Sequence, residues 1–105
     1  MSHTEDKTKR IIRDSAADFL SREANRYALI TVTDVKLKDR GTKATIFITV
    51  LPTEYENASL DFTKRKRSDL RDFLKSHVRL RKIPFLDFEI DKGERNRQRI
   101  DELSG

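Results

Sequence analysis

The stretch RLRKIPFLDFEID, residues 79–91, marks the point where the chain changes from helix to strand. Pro84 ends any preceding helix, because proline has no backbone N–H and restricts the residue before it. After it, Leu86, Phe88 and Ile90 alternate with a second set of residues that is mostly acidic. A period of two is typical of a strand with one buried face. We therefore predict a strand over residues 85–91.

Upstream of this stretch, residues 54–78 have the periodicity of a helical region. Apolar side chains recur there at spacings of three and four, which places them on one face of a helix. This apolar stripe comprises Leu70, Phe73, Leu74, His77 and Val78. A lone histidine within such a stripe is more often a core residue than a metal ligand, so we expect His77 to be buried.

Two strands precede the helical region. Residues 28–38 are rich in β-branched side chains, and residues 43–51 alternate cleanly until Pro52. The short KDRG turn between them, in which Gly41 can take a positive φ, predicts an antiparallel hairpin. In the first strand the apolar residues change parity after Val32, which indicates either a bulge near Thr33 or Asp34 or a strand buried on both faces.

Residues 5–24 have the pattern of an amphipathic helix, so the order of elements is helix, strand, strand, long helix, strand. A strand–helix–strand crossover favours parallel pairing of the second and third strands. The fold class is therefore α+β, a small sandwich with a three-stranded mixed sheet and the helices on one face. We expect residues 1–92 to form the domain and residues 93–105 to form a polar C-terminal tail.

The composition excludes several classes of protein. The chain has 105 residues, which suits one domain, and no cysteine, which excludes disulfides and thiolate metal sites. No apolar run is long enough to span a bilayer, and the start of the chain lacks a secretory signal, so we expect a cytoplasmic protein with no membrane partner. His3 and His77 make no zinc site, and no phosphate loop or nucleophile–base pair is visible. We expect neither an enzyme, nor a cofactor, nor a small-molecule substrate.

The positive charge is concentrated in one segment. Residues 64–82 hold nine basic and two acidic residues, a net charge of +7, whereas the other 86 residues hold fourteen basic and sixteen acidic residues, a net charge of −2. On a helical wheel four cations fall on one flank of the apolar stripe, with Asp69 and Asp72 on the far side. These cations are Lys64, Arg67, Arg71 and Lys75. Sorted cations favour a polyanion as partner, although a solvated face remains the alternative.

Other candidates carry less weight. Asp87, Glu89 and Asp91 share one strand face, and we interpret them as a solvated face rather than a metal or acid–base site. Phe47 and Phe85 lie on the opposite parity from the core residues of their strands, and packing under a helix edge is favoured over a surface on which bases stack. Arg95, Arg97 and Arg99 of the tail offer either further contacts or a solvated end.

Several motifs resemble the ribosome-binding factor A family. RLRKIPFLDFEID matches its R-L-R-x-[VI]-P-x-L-x-F-x-x-D signature, ITVTDVKL and KATIFITVL resemble its first two strands, and RIDEL (99–103) resembles its usual ending. The resemblance covers about residues 7–103. It implies a KH-like fold of the type II arrangement. It also implies a factor that binds the immature small ribosomal subunit and its 16S rRNA, assists late rRNA processing and is commonly tied to growth in the cold.

The resemblance also places a helix kink. Counting back from the signature puts the family's small-x-Gly kink at residues 66–68, where this chain has no glycine, so a milder kink or none is expected. The resemblance and the charge pattern together predict an RNA-binding surface. We expect the protein to be a monomer. The predicted RNA-binding residues are Lys64, Arg65, Lys66, Arg67, Ser68, Arg71, Lys75, Arg79, Arg81 and Lys82. The alternatives are an adaptor whose basic face meets an acidic protein, and a nonspecific DNA-binding domain.

Overall fold

The computed structural model describes residues 3–23 and 28–97, and every predicted element lies within two residues of its expected bounds there. The helices are α1 (His3–Glu23), α2 (Glu56–Arg65) and α3 (Arg67–His77). The strands are β1 (Leu29–Lys38), β2 (Lys43–Leu51) and β3 (Phe85–Ile90), and a short 3₁₀ turn covers Thr53–Tyr55. No helix in these two ranges is both long enough and apolar enough to cross a membrane.

The sheet has the predicted mixed topology. Its strand order is β1-β2-β3, with β1 antiparallel and β3 parallel to β2. Ile46 of β2 lies opposite Phe88 of β3, and both are fully buried under the helices. Ile12 of α1 and Leu70 of α3 complete this core from the helical side. The alternation that predicted the strands therefore also determines which face of the sheet the helices cover.

A β-bulge in β1 confirms one of the two alternatives for the parity change. The register with β2 shifts between Val32 and Asp34. One extra residue in a strand turns the following side chains to the opposite face, so Val35 joins the core that Val32 packs against. The extra residue, Thr33, donates a hydrogen bond from its hydroxyl to the Asp91 carboxylate at 2.6 Å. The bulge thus ties β1 to the end of β3.

The turn between β1 and β2 is held in the left-handed region of the backbone. Gly41 has the predicted positive φ, 81°, and Asp39 and Arg40 also have positive φ, 52° and 58°. The backbone N–H of Gly41 donates to the Lys38 carbonyl at 3.1 Å, which closes the turn. Glycine adopts this conformation at little cost, whereas an arginine adopts it only where the surrounding turn requires it.

The helical region is divided into two helices at Lys66. That residue has φ −93° and ψ 5°, and its backbone N–H donates to the carbonyls of Phe62 and Thr63. The kink position is therefore retained without glycine. Because φ is negative there, a lysine takes this conformation without the penalty that a left-handed residue would incur.

The prediction that His77 is buried is wrong. Leu70 and Leu74 are fully buried as expected, but His77 is exposed. The Phe73 ring packs against the Phe19 ring of α1, with ring centroids 5.7 Å apart. The His77 ring stacks on Phe73, with ring centroids 4.0 Å apart. His77 lies in the last turn of α3, where Phe73 covers the core beneath it, so its polar ring remains in solvent.

Residues 92–97, at the start of the predicted tail, form a helical segment. Asp91 caps it by accepting a hydrogen bond from the Glu94 N–H at 3.0 Å. Arg95 forms a 3.2 Å ion pair with Glu56 of α2, and both side chains are largely buried. Arg99 and the RIDEL motif lie outside the described residues.

Candidate nucleic-acid interface

The junction of α2 and α3 lies beside β3, which is an edge strand of the sheet. Lys64 Nζ is 2.8 Å from Asp87 Oδ1, and Arg67 Nη1 is 3.3 Å from the same oxygen. We call these three residues the edge cluster. The interpretation of Asp87 as part of a solvated strand face is wrong in part, because its side chain is 35% exposed but its carboxylate is held by two cations. Asp91 is likewise engaged by Thr33, whereas Glu89 is exposed as expected.

The carboxylate of Asp87 stays ionised at neutral pH. Partial burial raises its pKa, but the hydrogen bond from Lys64, the Phe88 N–H and the charges of Lys64 and Arg67 outweigh burial and lower the pKa below its usual value. The carboxylate therefore cancels part of the positive charge at this edge. Ion pairs exposed to this degree stabilise a fold by about 0–1 kcal/mol each, so their main effect is on the local field.

Other predicted cations of the helices are also engaged. Lys66 Nζ lies 3.7 Å from carboxylate oxygens of Glu23 and Asp69. Arg71 Nη1 donates to the carbonyl oxygen of Ile83 at 3.3 Å, which fixes its side chain against the segment that leads into β3. Three of the predicted residues on the helices are exposed and have no side-chain partner among the described residues. They are Arg65, Ser68 and Lys75.

Phe85 is 60% exposed, so the prediction that it packs under a helix edge is wrong. The Arg67 guanidinium carbon lies 5.8 Å from the centre of its ring. Arg67, Ser68, Arg71, Phe85 and Leu86 line a shallow groove of about 180 Å³. We call it the Phe85 groove. The other aromatic residue of opposite parity, Phe47, is half-buried, and Lys36 Nζ lies 5.3 Å from its ring centre.

A second, larger groove of about 520 Å³ lies where α1, the β1–β2 turn and the segment after α3 meet. We call it the end groove. Ile11, Leu37 and Leu80 give it an apolar floor. No acidic residue is among its described lining residues, whereas five cations are. These cations are Lys7, Arg40, Arg79, Arg81 and Lys82.

Two of these five cations were missing from the sequence prediction. Lys7 lies in α1 and Arg40 in the hairpin turn, far in sequence from the basic segment 64–82. The parallel pairing of β2 with β3 is a signal that could have found Arg40, whereas no such pairing pattern points to Lys7. This pairing places Lys43 opposite Phe85, so the turn before Lys43 must lie beside the segment before Phe85.

The two grooves lie at the same end of the sheet. The backbone N–H of Phe85 donates to the Thr42 carbonyl at 2.8 Å, which joins the start of β3 to the hairpin turn. Ile83 and Pro84 therefore connect the chain that lines the end groove to the start of the Phe85 groove. Within the described ranges no group of three or more potential metal ligands occurs. The arrangement is suited to holding a chain of phosphates by several cations at once.

Comparison with known proteins gives a consistent result. The family model described as ribosome-binding factor A matches residues 4–104. The ribosome-binding factor A of Thermodesulfovibrio yellowstonii is 29% identical to this chain over 99 residues, which cover 92% of this chain and 84% of the relative.

The fold is also shared with solved structures. The crystal structure of ribosome-binding factor A from Thermus thermophilus matches with a TM-score of 0.71 at 21% identity, over 80% of this chain and 92% of that chain. A Thermus thermophilus ribosome-binding factor A model, fitted into a cryo-EM map of a 30S complex, matches with a TM-score of 0.61 at 23% identity, over 89% and 97% of the two chains. The likeness confirms the predicted KH-like fold.

Proposed function

Because this chain belongs to the ribosome-binding factor A family, we propose that it binds the immature small ribosomal subunit and its 16S rRNA. We propose further that it assists late maturation of that rRNA, with the greatest need at low temperature. It acts in the cytoplasm as a monomer and by binding alone, without cofactor or small-molecule substrate. The Thermus thermophilus relative fitted into a map of a 30S complex supports this partner.

The observation that carries the proposal is the end groove. Its five cations come from three separate elements and converge on one depression, with no acidic residue among the described lining residues. A folded domain gains no stability from placing like charges together, so such a cluster indicates a polyanionic partner. Release of counterions from rRNA phosphates would supply much of the binding free energy.

The predicted surface takes a more specific form in this proposal. Arg79, Arg81 and Lys82, together with Lys7 and Arg40, hold the phosphate backbone at the end groove. Arg67 and Arg71 extend the contact along the Phe85 groove. Lys64 holds Asp87 and shapes this edge, and Ser68 lines the Phe85 groove. The remaining predicted cations of the helical region would make further contacts with the phosphates. They are Arg65, Lys66 and Lys75.

The test is co-sedimentation of the full chain with purified small ribosomal subunits across a salt series. Immature subunits and mature subunits are compared, and duplex DNA is added as competitor. We expect binding at low salt that falls steeply as salt rises, that resists duplex DNA and that is tighter for immature subunits.

Three results would contradict the proposal, each in a different way. Absence of sedimentation at low salt would remove the small subunit as partner. Displacement of the protein from the subunits by duplex DNA would favour the nonspecific DNA-binding alternative. Binding that survives nuclease and depends little on salt would favour an acidic protein partner.

A further inference from the structure

We propose that Phe85 is a base-stacking residue, on which one unpaired base of a single RNA strand packs while the flanking arginines hold its phosphates. This inference rests on the proposed function, because it deepens the contact of the same surface with RNA. The ligand class is single-stranded nucleic acid rather than a duplex or a simple polyanion.

The first observation is the exposure of the ring. Phe85 is 60% exposed, although Leu86 and Phe88 of the same strand are only 4% and 0% exposed. A phenyl ring left largely in water forgoes the stabilisation that its burial would contribute. The ring lines the Phe85 groove together with Arg67 and Arg71, so its exposed surface lies beside two cations. An exposed aromatic ring in a cationic groove is the recurring device of single-strand binding.

The second observation is the position of the cations around the ring. The Arg67 guanidinium lies 5.8 Å from the ring centre and is itself held by Asp87 and by the Lys64 carbonyl, to which its Nε donates at 3.0 Å. Arg71 is fixed to the Ile83 carbonyl on the side of the end groove. Both guanidinium groups are therefore held in place before a ligand arrives, which reduces the entropy lost on binding.

The third observation selects an unpaired base. A ring can stack only on the face of a base, and in a duplex both faces are covered by neighbouring base pairs. A strand with splayed bases presents such faces together with its phosphates. The exposed Phe85 ring, beside Arg67 and Arg71, offers a matching face to such a base and cations to its phosphates.

The experiment uses tryptophan as a reporter, because the chain contains none. Phe85→Trp places the indole where a base would stack. Leu29→Trp is the matched control, because Leu29 is 64% exposed and lies at the opposite end of the sheet. Each variant is titrated with a short single-stranded RNA, with the duplex of that RNA and with inorganic polyphosphate. Indole emission is followed during each titration.

We expect single-stranded RNA to quench the indole of the Phe85→Trp variant by about half or more, and the duplex and polyphosphate to leave it nearly unchanged. The control should not respond to any of the three. Phe85→Ala should weaken single-strand binding by about 5-fold to 100-fold, and Phe85→Tyr should restore it to within about 2-fold, since tyrosine keeps the stacking face. Circular dichroism of each variant checks that the fold is intact.

Several outcomes would overturn the inference. Equal quenching of the Phe85→Trp variant by polyphosphate, equal quenching of the control variant, or wild-type affinity in Phe85→Ala would each show that no base stacks there. Failure of the stacking role is distinguishable from failure of the proposed function. If the wild-type protein sediments with small subunits and Phe85→Ala binds equally well, only the stacking role is contradicted. If single-stranded RNA quenches the Phe85→Trp variant but the protein does not sediment with small subunits, the ribosomal partner is contradicted and the stacking role is supported.

Discussion

The edge cluster and the end groove are both basic, yet they differ in how their charge is balanced. At the edge, Asp87 holds Lys64 at 2.8 Å and Arg67 at 3.3 Å. At the end groove, no carboxylate lies among the lining residues that the structure describes. Charge counted along the sequence treats these regions alike, because Asp87 lies twenty residues or more from its partners. The difference teaches that cross-element pairing, and not local composition, determines which cations are available to a ligand.

The largest expected effect is the loss of the end-groove cations of the segment after α3. Replacing Arg79, Arg81 and Lys82 by Ala removes three phosphate contacts, each contributing about 5-fold to single-strand affinity at about 0.1 M salt. We expect about 100-fold weaker binding to single-stranded RNA and a salt dependence reduced by about two ions. Equilibrium binding across a salt series measures both.

The matched control for that variant replaces Arg13, Lys36 and Lys92 by Ala. These three cations are exposed and lie outside both grooves, and the change in net charge is the same. Equal loss of affinity in the two variants would show that only the total charge of the protein matters.

A smaller effect is expected for the two cations that charge counting missed. Replacing Lys7 and Arg40 by Ala removes two contacts of the end groove, so we expect about 20-fold weaker binding to single-stranded RNA. The free energy of unfolding should change little, because both side chains line an open groove at the surface. Unchanged affinity would confine the interface to the segment 64–82 and the Phe85 groove. The measurement is the same binding titration, with urea unfolding alongside.

At the edge cluster we expect the opposite effect, a variant that binds RNA more tightly than wild type. Asp87→Asn removes the negative charge that repels phosphates at this edge, while the Lys64 carbonyl still holds Arg67 in place, so we expect about 5-fold tighter binding to single-stranded RNA. Glu89→Gln is the control, because it removes the same charge from the same strand at an exposed position. A gain that is equal in both variants would mean that the edge cluster has no particular role.

The smallest expected effect is on stability at acid pH. The folded-state pKa of Asp87 lies below its unfolded value, so its contribution to the free energy of unfolding is present above about pH 4 and is lost as pH falls further. We expect wild type to exceed Asp87→Asn by less than about 1 kcal/mol at about pH 7 and to lose that advantage progressively as the pH falls below about 4. Urea unfolding across an acid pH series measures it, and an advantage that stays constant through the series would contradict the pairing.

Much of the fold could be predicted from periodicity. The alternation in β2 and β3 determines the buried face, and the parity change after Val32 locates the bulge, because both depend on local sequence alone. The kink at Lys66 could not be decided, since the residue takes a conformation open to any side chain.

The candidate site was less accessible to sequence reasoning. Local composition predicts the cations of the basic segment, but which of them are paired depends on Asp87 and on the parallel register of β3. His77 and Phe85 were both expected to be covered, because periodicity reports the direction of a side chain and not the extent of the core above it. Exposure at the end of a helix or at the edge of a sheet is a property of the assembled domain.

The left-handed turn at Asp39, Arg40 and Gly41 has a consequence for engineering this domain. A left-handed arginine costs about 1 kcal/mol relative to glycine, so selection for thermal stability alone would favour Gly or Asn in place of Arg40. Such a variant would melt at a higher temperature and lose one cation of the end groove. A screen that ranks variants by melting temperature would therefore enrich variants that are more stable but bind RNA less tightly. For substitutions in this turn, a higher melting temperature therefore does not indicate better RNA binding.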